Sequence, residues 1–366
     1  MSKLIIIFFT SFLISQECDD NRYLDEIFDV EVETWVEYGE NVNDNVGIVT
    51  LYMDVYQPVG DDLEERPLAI FLFGGAFMFG TRTSVDIVSQ CESYAKRGYV
   101  TAAIDYRLTP SLVFDNSEEN VYGAVVKGFH DLKGAIRYFR KSANEGNPYR
   151  IDPSRIYSGG TSAGSIIAIH GAYMDEEDDL LLVVDNILND VGGFEGESGN
   201  PGYSSAIHGV INLCGGIGDA NWISENNQPI VSLHGTLDEI VPYAGGINLL
   251  GVYTEGSYLI HERMLELGND SDLLTFEGGS HCEFLEDMSM VNQFTSEFMY
   301  NFVCAEDDNI SGDVNSDGSV NVVDVLTTVN IILNDDFSSY ADVNGDGAVN
   351  VVDILAIVNI ILGSSI

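Results

Sequence analysis

The residues best placed to do chemistry form the run Gly160-Thr161-Ser162-Ala163-Gly164. A serine hydroxyl is a weak nucleophile at neutral pH and needs a base, itself oriented by an acid. Glycines on both sides of the serine allow the tight strand-to-helix turn that holds such a hydroxyl toward a substrate. The flanks fit that turn, because Arg155 to Gly159 reads as a strand entering it and Ser165 to His170 as a helix leaving it.

Beyond that helix lie His208, His234, His261 and His281. His234 closes a strand, and His261 sits inside the helical run Leu259 to Leu267. His281 lies in the Gly-rich turn Glu277 to Cys282, after the last expected strand, where a base can hang over the serine; it is the expected base. Asp238, in the loop directly after the strand ending at His234, is the expected acid. Asp219, after the preceding strand, is the alternative, and Glu239 serves only if the loop turns one residue further.

A tetrahedral intermediate also requires amide donors aimed at its oxyanion. The stretch Phe73 to Gly80 follows a strand, and its paired glycines let backbone approach a substrate without Cβ interference. The amides of Gly74, Gly75 and Ala163 are therefore the expected donors. Phe77, Phe79, Tyr106, Trp222 and Tyr243 are candidates for an apolar acyl or aryl pocket, with core packing as the competing assignment.

These residues need a scaffold, and short β-branched or aromatic runs alternating with longer helical patterns predict a mainly parallel sheet covered by helices. Strands are expected at Ile48 to Tyr56, Leu68 to Phe73, Val100 to Tyr106, Arg155 to Gly159, Gly209 to Cys214, Pro229 to His234 and Leu273 to Glu277. Helices are expected at Val85 to Arg97, Val121 to Ala143 and Ile247 to Leu267. The acidic, then Gly- and Ser-rich stretch Ala172 to Ser205 reads as an insertion over the sheet, of the kind that shapes an active-site mouth.

Taken in order, Leu51 to Pro58, the Gly74 stretch, Asp105 to Pro110, Ile151 to Arg155, the Ser162 turn, Asp238 with Val241-Pro242, and His281 resemble the carboxylesterase and hormone-sensitive-lipase-like branch of the α/β-hydrolases. The resemblance covers about residues 45 to 290. It implies an α/β-hydrolase sandwich, attack of Ser162 on an ester carbonyl, an acyl-enzyme, and hydrolysis by water activated by His281. The chain departs from the family at Phe73, where His is usual, at Ala76, where a third Gly is common, and at Thr161, where Asp or Glu is common.

The composition changes near Cys304. Residues 304 to 310 form a polar linker, and no Lys or Arg follows. The remainder, 311 to 366, repeats itself: Asp313, Asn315, Asp317, Gly318 and Asp324 recur as Asp342, Asn344, Asp346, Gly347 and Asp353. Oxygen ligands at positions 1, 3, 5 and 12 of a loop, with Gly at 6, are a calcium-binding pattern. Carbonyls at Ser319 and Ala348 would complete each shell, and an apolar helix follows each loop. The segment resembles type I dockerin modules, which implies a small all-α domain, two structural calcium ions and a cohesin-like or cell-surface partner. Val322-Val323 and Val351-Val352 stand where cellulosomal dockerins carry a hydroxyl pair.

Residues 1 to 15 place Lys3 before a short apolar run that then turns polar, which reads as a secretory signal. The run is too short to span a membrane. Export would bring Cys18, Cys91, Cys214, Cys282 and Cys304 into an oxidising compartment. None has metal-ligand spacing, and the odd count leaves at least one outside any intramolecular pair. Fifteen basic against 59 acidic residues give a formal charge of -44, which disfavours nucleic acid and anionic lipid as partners.

The expectation is a secreted serine carboxylic ester hydrolase occupying residues 16 to 303, with esters on polysaccharide or of feruloyl type as candidate substrates. A serine peptidase on the same fold and a non-catalytic, dockerin-attached binding or adhesion protein are the alternatives.

Overall fold

The computed structural model describes Cys18 and residues 21–43, 46–176, 178–304, 312, 314, 320–333, 338, 341–343 and 348–362. The expected signal segment 1–15, residues 305–310 of the expected linker, and the loop residues Asp313, Asn315, Asp317, Gly318, Ser319, Asn344, Asp346 and Gly347 lie outside these.

The strands are β1 (Asp29–Asn43), β2 (Gly47–Val59), β3 (Arg66–Leu72), β4 (Val100–Ile104), β5 (Ile151–Thr161), β6 (Val210–Leu213), β7 (Gly216–Ile217), β8 (Ile230–Gly235), β9 (Gly245–Ile247), β10 (Tyr253–Gly256) and β11 (Ser271–Phe276). The helices are α1 (Val85–Lys96), α2 (Glu118–Asn144), α3 (Ala163–Tyr173), α4 (Leu182–Asp190), α5 (Ser257–Glu266), α6 (Met288–Val303), α7 (Val322–Leu333) and α8 (Val351–Ile361). One eight-stranded sheet runs in the order β1-β2-β4-β3-β5-β6-β8-β11. From β4 to β11 every pair is parallel, whereas β1 and β2 form an antiparallel edge.

The order of β4, β3 and β5 matters most for function. The chain steps from β3 through α1 to β4, then returns through α2 past β3 to β5. Right-handed crossovers advancing in opposite directions put α1 and α2 on opposite faces, and leave a crevice at the carboxyl ends of β3 and β5 where ligands of such sheets bind. The central strands are fully buried: β3, β4, β6 and β8 expose no residue. Mostly apolar strands without exposed residues are expected of parallel sheets covered on both faces.

Two expectations fail. Ile247 to Leu267 is not one helix: Tyr253–Gly256 pairs as a strand with both Gly245–Ile247 and β7, and only Ser257–Glu266 is helical. A side chain at Gly256 would meet the Pro242 carbonyl at 1.8 Å, so this glycine permits a close backbone crossing where periodicity suggested a helix. The Ala172 to Ser205 segment supplies no lining residue to the recess at Ser162. It contains α4 and is clamped onto α2, with Ser198 Oγ donating to buried Asp131 at 2.6 Å and Glu195 bonded to Lys133 and Arg137. Strand β1, the long antiparallel edge, is an element the sequence patterning did not disclose.

A second, small core gathers Val314, Ala341 and Ile357, and α7 packs with α8. Among the described residues no helix is long and apolar enough to cross a membrane.

Candidate active site

Ser162 leaves β5 with φ 55° and ψ -115°, a strained backbone for a residue with a side chain. The flanking glycines explain how the turn fits: a Cβ at Gly160 would meet the Leu72 carbonyl oxygen at 2.3 Å, and one at Gly164 would meet it at 2.1 Å. The end of β3 therefore crowds both sides of the turn. Ser162 N donates to Leu213 O at 2.8 Å, which fastens the turn to β6 as well.

His281 sits beyond β11 and reaches back over this turn. Its Nε2 accepts from Ser162 Oγ at 2.9 Å, and its Nδ1 donates to Asp238 Oδ2 at 2.7 Å. The carboxylate thus selects the tautomer with a lone pair facing the serine. Asp238 is itself gripped from all sides: Oδ1 accepts the amides of Ile240 and Val241 at 2.8 and 2.9 Å. Burial pushes the Asp238 carboxyl up, but bonds from His234 and His281, the His281 charge and the Val241 amide outweigh it and hold the group well below the ordinary carboxylate range.

The alternatives lie elsewhere. Asp219 caps a short 3-10 turn at Asn221, Glu239 is exposed in the loop beyond Asp238, His261 Nδ1 bonds Ser271 Oγ, and His208 Nδ1 contacts the backbone of Ile156.

His234 takes a part that the sequence reading passed over. Fully buried, it donates from Nε2 to Asp238 Oδ2 at 3.1 Å and to Val241 O at 3.0 Å. Its Nδ1 accepts from Ser257 Oγ at 2.7 Å, and Ser257 Oγ accepts from Asn212 Nδ2 at 2.9 Å. A buried line therefore runs from Asn212 through Ser257, His234, Asp238 and His281 to Ser162. The four-residue spacing of His234 and Asp238 across a strand end was the available signal. It says nothing of Asn212 and Ser257, which arrive from other elements.

The expected oxyanion donors sit on the loop after β3 and at the start of α3. Gly74 packs so near that a Cβ there would lie 3.3 Å from Ser162 Cβ. Ala163 opens α3, whose first amides have no acceptor within the helix and whose dipole favours negative charge. Gly75 has φ 124°, and a Cβ there would strike the Phe79 carbonyl at 2.0 Å. Ala76, at the position where relatives often carry Gly, keeps a left-handed φ of 52°. In place of the usual His, the Phe73 ring stacks on Tyr106 at 4.4 Å, and Tyr106 OH donates to Phe73 O at 2.9 Å.

Of the candidate pocket aromatics, Phe77 lines a recess beside Ser162 with Ile166, Ile240, Val241, Leu249 and Leu250. Tyr106 is core, Trp222 packs on His170, Tyr243 packs on His234, and Phe79 is exposed. The recess has a volume of about 20 Å³. That admits little more than one water-sized group. A larger cavity of about 440 Å³ around Thr109, Asp115 and Lys127 contains none of these chemical groups.

Disulfides join Cys18 to Cys304 and Cys214 to Cys282, while Cys91 is buried and free. The second bond ties the residue after His281 to the end of β6. Cys214, His281 and Cys282 converge as a metal site would. Here the sulfurs are joined to each other, and both His281 nitrogens are engaged.

In the C-terminal segment Asp324 and Asp353 are fully buried. Asp324 accepts the amides of Val314 and Asn321 at 2.8 and 2.7 Å, and Asp353 accepts that of Asn350 at 2.9 Å. Asp342 and Ala348 lie among the described residues of the second loop.

Comparison with known proteins agrees with this architecture. Residues 53–217 match the family model described as BD-FAE, and residues 311–362 match the dockerin type I domain. Lipase 1 of Geotrichum candidum is 27% identical over 124 residues, 33% of this chain, and the match spans only 21% of that lipase. Among solved structures, Thermogutta terrifontis esterase 2 phosphorylated by paraoxon superposes with TM-score 0.52 at 23% identity, covering 74% of this chain and 94% of that one. Its propionate-bound form gives TM-score 0.53 at 23% identity, over 77% of this chain and 97% of that one. At such identity the likeness establishes the α/β-hydrolase fold, which this chain has, with a dockerin-type segment after it.

Proposed function

We propose that this α/β-hydrolase-fold chain is a secreted serine ester hydrolase acting on short acyl esters, with polysaccharide-borne esters as its natural substrates. The observation that carries the reading is the continuous hydrogen-bonded line from Ser162 Oγ through His281 to Asp238 at the carboxyl edge of the sheet.

In the first step His281 Nε2 takes the Ser162 proton as Oγ bonds to the ester carbonyl carbon. The carbonyl electrons move to oxygen, which is held by the amides of Gly74, Gly75 and Ala163. Collapse breaks the bond to the alkoxy oxygen, which leaves with the proton from His281, and Ser162 keeps the acyl group. Water then gives its proton to His281 and attacks the acyl carbon; collapse returns the proton to Ser162 and frees the acid. Asp238 stays ionised throughout and stabilises the imidazolium. The recess beside Ser162 suits the methyl of an acetyl group. Propionate in the Thermogutta relative and the BD-FAE match support an ester substrate of this kind.

Ser162→Ala is expected to abolish turnover of p-nitrophenyl acetate and labelling by a fluorophosphonate probe. Retained turnover or labelling would refute the assignment, and a wild-type chain that fails to label would favour a non-catalytic binding protein.

For the C-terminal segment we infer two calcium loops of the dockerin kind. The donor set is all hard oxygen, as calcium prefers. Asp324 and Asp353 are buried, each accepting backbone amides at the foot of its loop. Asp313, Asn315, Asp317, Ser319 and Asp324 would hold one ion, and Asp342, Asn344, Asp346, Ala348 and Asp353 the other. Calcium, when bound, supplies charge compensation and a cross-link within each loop. A partner surface is supported by Val322, Leu326 and Leu333, exposed at the same repeat positions as Val351, Leu355 and Leu362. Secretion accords with the two disulfides.

A further inference from the structure

We propose that Trp35 is a stacking platform for a neutral glycan chain, whose acylated unit reaches Ser162. The proposal rests on the esterase reading above and extends it to how the polymer is held.

Trp35 is 67% exposed, although it stands within β1. An edge strand seldom shows a bare indole without a cause, and here the cause is visible. The pairing of β1 with β2 slips between Glu33 and Val36, and Trp35 at this bulge has φ 61°. A bulky residue avoids that left-handed conformation, and bulges of this type re-aim one side chain. The strained backbone is retained because buried Asp54 accepts the Trp35 amide at 2.9 Å.

The ring is then held in place. The Arg82 guanidinium lies over the indole, 4.1 Å from its centroid, and Tyr52 meets it edge to face at 5.4 Å. Arg82 cannot drift, because it bonds Asp54 at 2.9 Å and also pairs with Asp105. An aromatic surface ordered in advance loses little freedom when a ligand stacks on it. Stacking is what the apolar C–H face of a sugar ring offers to an indole, while Glu37, exposed two residues along the strand, offers its hydroxyls a carboxylate acceptor. A net charge of -44 excludes a strongly anionic polymer and leaves neutral chains.

Position completes the case. Asp105 N donates to Tyr52 O at 2.9 Å, directly beyond the carboxyl end of β4, so the platform lies on the same edge of the sheet as Ser162. The order β1-β2-β4-β3-β5 sets it roughly 20 Å from the serine at about 4.8 Å per strand, a span of several sugar rings. Phe79, 64% exposed, stands in the loop between Gly75 and Arg82 and continues the apolar path.

The test exploits the presence of only two tryptophans, of which Trp222 is buried. In the Ser162→Ala chain, where nothing is turned over, xylohexaose, mannohexaose and cellohexaose are titrated against tryptophan fluorescence. At least one is expected to change the emission saturably, and Trp35→Ala added to that chain to remove the change. In the active chain, Trp35→Ala is expected to lower the ratio of kcat/KM on acetylated xylan or mannan to that on p-nitrophenyl acetate at least fivefold, and Trp35→Phe to restore most of it. No response to any of the three sugars, an unchanged ratio, or a Trp35-dependent dimer in sedimentation would each overturn the proposal. Because the titration needs no catalysis, a failed platform is distinguishable from a failed esterase assignment.

Discussion

His234 donates Nε2–H to Asp238 at 3.1 Å from a fully buried position, so the carboxylate that orients His281 is itself oriented by a second imidazole. A carboxylate oxygen shared by two donors has little freedom to rotate, and a proton-accepting imidazole is only as well placed as the group that holds it.

His234 is accordingly a positioning residue. His234→Ala is expected to lower kcat on p-nitrophenyl acetate about tenfold, corresponding to about 1.4 kcal/mol of transition-state stabilisation, while KM changes little. Steady-state kinetics on the purified variant checks this. Equal effects on kcat and on folding stability in His234→Gln, which keeps a donor, would argue for a merely structural role.

The Cys214–Cys282 bond has a comparable duty from the other side, since it anchors the residue adjoining His281 to β6 across a separation of 68 residues. Replacing both cysteines with alanine is expected to lower unfolding free energy by about 2–5 kcal/mol and to reduce kcat. Urea unfolding without reductant measures the first. Activity of the wild-type chain after dithiothreitol should fall in parallel.

Acyl-chain preference should respond to Leu250, which closes the small recess at Ser162. Leu250→Ala removes enough volume to admit a longer chain. One or two extra methylenes in an apolar pocket are worth about 1–3 kcal/mol, so the butyrate-to-acetate ratio of kcat/KM should rise about tenfold. A ratio that stays constant would place the acyl group elsewhere.

Acid sensitivity follows from buried histidines outside the proposed site. Burial pushes His170 and His208 down to about 4, and a charged Arg140 beside His208 acts in the same direction. Their folded values lie below the unfolded value of about 6.5. The unfolded state therefore binds protons first, and stability present above pH 6.5 is lost as pH falls toward 4. Each contributes at most about 3 kcal/mol to that loss. Thermal unfolding from pH 7 to pH 4 should show a falling Tm, and His170→Gln should flatten the slope.

Calcium removal is expected to unfold the segment carrying α7 and α8, because binding of the ion would be coupled to folding of the loops that hold it. Circular dichroism at 222 nm with EDTA, then with excess calcium, reads the loss and its recovery. Asp324→Ala combined with Asp353→Ala should abolish the response and leave esterase activity in place.

The sequence by itself determined the local units. Short apolar runs read as buried strands, and Gly160, Ser162 and Gly164 with their flanks as a tight turn between strand and helix. The loops that follow expected strands then pointed to Asp238 and His281, because in a parallel sheet every strand delivers its following loop to the same edge. The recurrence of Asp313 to Asp324 as Asp342 to Asp353 carries the expectation of paired loops by spacing alone.

Only the tertiary structure decided what meets what. Asn212, Ser257 and His234 come from β6, α5 and β8, and no local pattern encodes a bond between side chains on separate elements. The part of the recess wall at Asn248 to Leu250 was hidden because the segment from Ile247 on mimics helical periodicity. The pairing of Cys214 with Cys282, and the turning of Trp35 outward, depend on register between strands, which is set by the packing of the whole sheet.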